Sequence, residues 1–207
     1  MKPFSQWTIE EVEEEFRIVS CRRSELLDRW TTIHSAPSGQ ERRKLAELQD
    51  KLQEHVWDWN EEELKVYFIV PLLNVVDFEQ GRYKPFLSRE LSLVYGEEKV
   101  SGYVDFMVAA GGRSPKKPYF FIHEYKKEYD SSNDPLGQLM IAMVVAYKCN
   151  DDGHPVHGAY VMGRYWHFTV LEGNTYSVHT GFNAADREID DIFGTLKNTK
   201  NIIEQWR

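Results

Sequence analysis

The chain has 207 residues, 42% of them hydrophobic and 14% aromatic, which is enough for one sizeable core and too apolar for a disordered polymer. A formal charge of −8 does not advertise a broad phosphate-binding surface, and two cysteines, Cys21 and Cys149, without CxxC or CxH spacing imply neither a disulfide framework nor a zinc site. Residues 1–7 lack the apolar run of a signal peptide, and no stretch approaches the ~18 apolar residues of a membrane span, so the expectation is a soluble cytoplasmic protein without membrane contact.

Residues 1–58 read as an added helical region in front of a second unit at 59–207. Thr8-Ile9-Glu10-Glu11 and Ser38-Gly39-Gln40-Glu41 fit the capping-box pattern, in which a hydroxyl and a glutamate three residues on satisfy each other's backbone N–H groups. Leu45, Leu48, Leu52, Val56 and Trp59 form a helical stripe, with Val12, Phe16, Val19, Leu26, Leu27 and Trp30 as its nearest partner. The expectation is an antiparallel helical hairpin that packs on the core or, alternatively, serves a homodimer. A helix from Asn60 follows, with an Asn cap and three acids, Glu61, Glu62 and Glu63, in its first turn. Glu61, Lys65, Phe68, Ile69 and Leu72 share one stripe, so Glu61 points inward, with Glu63 as the alternative. Acids at a helix start also complement the dipole and need no other purpose.

Strands are expected at 86–95, 103–109 and 119–126. The turn-rich stretch from Gly111 to Pro118 makes a hairpin of the last two. Residues 135–147 read as a helix apolar all round, opened near Asn133 or Asp134, in which Gln138 is a lone amide that needs a partner if buried. Strands at 157–162 and 165–171 join at Gly163-Arg164. A strand near 175–180 and a helix over about 184–206 close the chain.

Three charges interrupt the apolar hairpin: Asp105, Glu124 and Lys126. If Ala110 pairs with Tyr119, Asp105 lies opposite Glu124, and side-chain alternation places Glu124 and Lys126 on one face. Two carboxylates that close repel, so one takes up a proton unless a cation sits between them. All-oxygen ligation suits Mg²⁺ or Mn²⁺. A plainer reading makes Glu124 and Lys126 a solvent-facing pair, but Phe120, Phe121 and Ile122 argue for a strand buried on both faces. His123 alternates to the opposite face. None of the seven histidines has a His-x-x-x-His partner, and no Gly-rich phosphate loop or Gly-x-Ser-x-Gly elbow occurs. Arg113, Lys116, Lys117, Lys126 and Lys127 form a basic group around the hairpin, suited to nucleic acid or serving only as solubilising charge.

The order of acidic residue, hairpin and Glu-x-Lys resembles the core motif of the PD-(D/E)XK nuclease superfamily, with Asp105 in the first acidic position and Glu124-Tyr125-Lys126 as the E-x-K. The proline that names the motif is absent, Val104 standing in its place. The segment from Glu61 to Leu73 is similar to the opening helix of the nuclease domain in type I restriction enzyme motor subunits, and Gln138 matches a Gln on the helix after the E-x-K strand. The resemblance covers roughly residues 60–180 and implies a restriction-endonuclease-like α/β fold, a mixed sheet with an α-β-β-β-α-β core. It implies DNA as substrate, with RNA as the alternative. Mg²⁺ or Mn²⁺ would be held by Asp105, Glu124, the main-chain carbonyl of Tyr125 and Glu61 or Glu63, with Lys126 and Gln138 completing the catalytic set. Lys116, Lys117, Lys127 and Arg113 are the candidates for strand contact. A catalytically inactive module of the same fold that binds nucleic acid or protein is the alternative function.

Overall fold

The computed structural model describes residues 2–32, 35–96, 98–128 and 134–205. Alternating and doubly apolar segments build an open mixed sheet of eight strands: β1 (Val19–Ser20), β2 (Lys84–Tyr95), β3 (Glu98–Ala110), β4 (Lys116–Lys126), β5 (Val156–Met162), β6 (Tyr165–Glu172), β7 (Thr175–Val178) and β8 (Phe182–Asn183). Their order is β1-β7-β6-β5-β4-β3-β2, with β8 paired to β6. The β1/β7 and β4/β5 pairs are parallel and the others antiparallel. Seven helices accompany the sheet among the described residues: α1 (Ile9–Phe16), α2 (Glu25–Thr32), α3 (Gly39–His55), α4 (Glu61–Leu64), α5 (Val70–Val76), α6 (Pro135–Asn150) and α7 (Ile189–Gln205).

Two apolar clusters form. One joins α2, α3, α5 and α7 to Phe106, Val108, Phe121, Tyr125 and Phe168 of the sheet. The other joins α1 and α6 to Met107, Ala109, Ile122, Val156 and Leu171. Helix α6 links the parallel strands β4 and β5, a connection that must cross over the sheet and therefore takes a helix. Every residue from Gly137 to Ala146 is buried, as an all-round apolar helix requires. Its N-cap is Asp134, whose side chain accepts from the Gly137 N–H at 2.9 Å and from the Ile9 N–H at 2.6 Å, tying α1 to α6; Asn133 lies outside the described residues. Gly137 permits this approach, because a Cβ there would sit 2.5 Å from the Trp7 carbonyl oxygen.

Both N-terminal capping boxes form, at Thr8 with Glu11 and at Ser38 with Glu41. The expected N-terminal helical hairpin does not. Val12 and Phe16 of α1 enter the α6 cluster, β1 then joins the sheet edge, and Leu27, Trp30, Leu45, Leu52 and Val56 enter the other cluster. The Trp30 indole N–H donates to the Thr195 carbonyl at 3.0 Å, so α2 is fastened to α7. Residues 1–58 thus complete both faces of the sheet, and the leucine stripe packs on the core, as the first of the two expected uses had it. Among the described residues no helix is long and apolar enough to cross a membrane.

The helix expected to run unbroken from Asn60 is interrupted by a π-helical turn, Lys65–Ile69, between α4 and α5, where the Val70 N–H reaches back to the Lys65 carbonyl. Pro71 follows and has no N–H to give, so a regular α ladder would lose a bond here, and a widened turn absorbs the defect.

Candidate active site

The strands β3 and β4 pair as Phe106 with His123, Met107 with Ile122 and Val108 with Phe121, which puts Asp105 next in line opposite Glu124. Near the turn two irregularities move Tyr119 opposite Ala109 and Lys116 opposite Ala110, so the expected Ala110–Tyr119 pair is replaced while the register at the charged end agrees with the simple count. The backbone ladder stops at Phe106/His123. Beyond it the Asp105 carboxylate takes over, Oδ2 accepting the Tyr125 N–H at 3.1 Å. On the other side the β2 ladder steps from Leu87/Phe106 to Arg89/Val104, and Ser88, in the step between, has φ +49°. A non-glycine residue in the left-handed region costs on the order of 1 kcal/mol or more, and such strain gathers at functional sites.

Five charged side chains meet there. The Lys126 ammonium lies 3.1 Å from Glu124 Oε1 and 3.6 Å from Glu61 Oε2. The Lys65 ammonium lies 3.1 Å from Asp105 Oδ1, 3.5 Å from the Ser88 hydroxyl, and over the Tyr125 ring. Burial, and then the Asp105 charge, push the Glu124 carboxyl up to about 8; Lys126 pulls it down without prevailing. Burial works against the Lys126 charge too, but Glu124, Glu61 and Asp105 outweigh it and hold the ammonium above its ordinary value.

Two of the three neighbouring acids at the α4 start take separate roles. Glu63 accepts the Asn60 N–H at 2.9 Å while Asn60 caps Glu63 in return, so Glu63 serves the cap and Glu61 faces Lys126. Tyr125 meets Asp105 through its amide N–H, and its ring is wholly buried in the cluster with α5 and α7. Gln138 is buried, as a residue of an all-round apolar helix should be. It has the partner that its burial demands: its amide nitrogen donates to the Ser5 carbonyl at 3.4 Å, which anchors the N-terminal segment to α6. The basic group does not hold together either: Lys116 and Lys126 are the two ends of β4, ten steps of about 3.3 Å and so roughly 30 Å apart. Lys116, Lys117 and Arg113 are exposed at the far tip of the hairpin, and Lys127 alone of the proposed strand-binding residues lies at the charged end.

Lys65 is the site residue that sequence reasoning placed on the right stripe without giving it a role. Its signal was its position four residues after Glu61, on the same face. His123 is fully buried on the other side of the strand, held to about 3 by burial, with its ring against Tyr125 and Trp166.

Chemically, the arrangement offers two facing carboxylates, a third within reach of the same ammonium, and two lysines interleaved among them. Among the described residues no three His, Cys, Asp or Glu side chains close into a ready-made metal cage. The set still fits a hard dication of the Mg²⁺ kind, which takes one or two carboxylates and keeps its waters, and the raised Glu124 carboxyl marks where such a charge would be most welcome. No protein-family model matches the chain, and comparison with curated proteins gave no match.

Proposed function

We propose that the chain is a metal-dependent nuclease that hydrolyses phosphodiester bonds in DNA, built on a restriction-endonuclease-like core in which the α4–α5 segment, β2, β3, β4, α6 and β5 supply the α-β-β-β-α-β order. The observation that carries this reading is the meeting of Asp105, Glu124, Lys126 and Glu61 where β3 and β4 part. Asp105 and Glu124 would hold Mg²⁺ or Mn²⁺, with the Tyr125 carbonyl and Glu61 as further oxygen donors. The ion, when bound, supplies an acidified water and charge neutralisation at the phosphate. Lys126 would orient an attacking water and offer its ammonium to the charge developing on the phosphate oxygens. Glu61 keeps Lys126 directed at the site from the helix side, and Lys65 fixes the Asp105 carboxylate from the other. The Tyr125 N–H holds the second oxygen of Asp105, so that side chain is pinned at both ends.

A second reading, a non-catalytic binding module, draws on the formal charge of −8 and on the way these carboxylates and lysines pair among themselves. Incubation of linear and supercoiled DNA with Mg²⁺ or Mn²⁺ separates the two. The nuclease reading requires cleavage that Glu124→Ala and Lys126→Ala abolish while the circular dichroism spectrum is kept, and equal cleavage by all three proteins rejects it.

A further inference from the structure

Beyond the end of β4 the surface changes character. The Gly163 N–H donates to the Lys126 carbonyl at 2.9 Å, so the β5–β6 turn is seated on the last residue of the charged strand. Gly163 has φ +56°, and a Cβ there would collide with Glu128, so only glycine lets the turn sit this close. The next residue, Arg164, is clamped: its backbone N–H donates to Glu128 Oε2 at 2.9 Å, and its guanidinium binds Glu128 Oε1 at 2.7–2.8 Å, with the Glu128 side chain 7% exposed. The clamped guanidinium lies 4.3 Å from the Trp57 ring centre and 5.5 Å from that of Tyr165. Large aromatic surface remains open to solvent here, Trp57 at 53% and Tyr165 at 42%. A groove of about 310 Å³ starts at Trp57 and runs past Trp59 to Asn60, Lys127 and Glu128. Asn60 caps the helix that carries Glu61, so the groove ends beside the carboxylate and lysine cluster.

We propose that Trp57, braced by Arg164 and flanked by Tyr165, is a stacking platform for an unpaired nucleobase, and that the strand taken by the site is single-stranded or frayed nucleic acid. This rests on the nuclease reading for what happens at the cluster. The charge pattern favours stacking over phosphate capture, because the Arg164 charge is met by Glu128 and Asp58 also lines the groove, leaving Lys127 as its exposed cation among the described residues. A base inside a duplex has both faces covered by its neighbours, whereas an unpaired base can lie flat on an indole, and stacking of this kind tolerates any sequence. A recognition surface with few phosphate contacts also suits a chain of net charge −8 and gives a shallow dependence on salt.

The test is fluorescence anisotropy in EDTA, which reads binding without cleavage, using labelled dT12, rU12 and a blunt hairpin duplex. The platform predicts tighter binding of the single strands than of the duplex, about a tenfold loss for Trp57→Ala on the single strands alone, and retention within about threefold for Trp57→Phe. Quenching of tryptophan emission by saturating dT12 should fall in Trp57→Phe although binding persists, a signature that a merely structural tryptophan would not produce. The two single strands assign DNA or RNA as the source. Preference for the duplex, no binding of either strand, or Trp57→Ala within twofold of wild type on both strands would overturn the platform. Trp57-dependent binding without any cleavage in Mg²⁺ or Mn²⁺ supports the platform and removes only the nuclease reading.

Discussion

Replacing Glu124 by Gln should stabilise the protein in a way that depends on pH. The Glu124 carboxyl ionises at about 8 in the fold against 4.5 unperturbed, because it is buried and faces Asp105. Between those values the folded state binds the extra proton, so stability falls as pH rises through the window; above it the whole cost is present, below it none. At 1.36 kcal/mol per pH unit the ceiling is about 5 kcal/mol. The side chain keeps 13% exposure, and water and local relaxation soften the cost, leaving roughly 2–3 kcal/mol. Glutamine has the same shape and cannot ionise. Urea denaturation in EDTA should therefore show the Gln variant gaining stability over wild type by that amount between pH 5 and pH 9, with its own profile flat across the window apart from changes common to both proteins. A difference that does not vary with pH would contradict the burial of Glu124 against Asp105.

Two further outcomes follow from the charged and buried groups. His123 and His157 are held to about 3 by burial, below an unperturbed 6.5, so the folded state refuses protons that the unfolded chain takes up; stability is complete above 6.5 and is lost as pH falls toward 3. His123→Phe should flatten part of that acid limb in the same urea assay, and an unchanged limb would contradict neutral burial. Lys65→Met should cost about 1–2 kcal/mol, because the Lys65 and Asp105 side chains are 12% and 20% exposed and Asp105 loses the ammonium at 3.1 Å. A double-mutant cycle with Asp105→Asn should give a coupling of about 1 kcal/mol, and additivity would show that the pair contributes nothing.

Local chemistry made most elements legible from the sequence. The capping boxes at Thr8 and Ser38 and the all-round apolar run of α6 are read from a few neighbouring residues, and the structure has them. The facing of Asp105 and Glu124 was also accessible, because strand alternation and a short hairpin leave few registers. What escaped depends on distant partners or on the backbone. The N-terminal stripes carry no mark of which sheet face they choose, and a two-residue strand such as Val19–Ser20, with Val19 56% exposed, has no periodicity to detect. The π-helical turn before Pro71 arises from a missing donor rather than from a pattern of side chains. Among Glu61, Glu62 and Glu63 the sequence offers equivalent acids, and only the Asn60–Glu63 cap separates their roles. Gln138 looked available because its partner, the Ser5 carbonyl, is a backbone group 133 residues away. The Trp57–Arg164 stack joins a turn and a loop remote in sequence, and nothing in either segment alone announces it.

DNA cleavage in Mg²⁺ or Mn²⁺, measured for wild type, Glu124→Ala and Lys126→Ala at equal concentration with folding verified for each, is the decisive measurement. Cleavage by wild type alone is the predicted result. Products formed equally by all three, or by none of them, would contradict a hydrolytic role for the charges gathered where β3 and β4 separate.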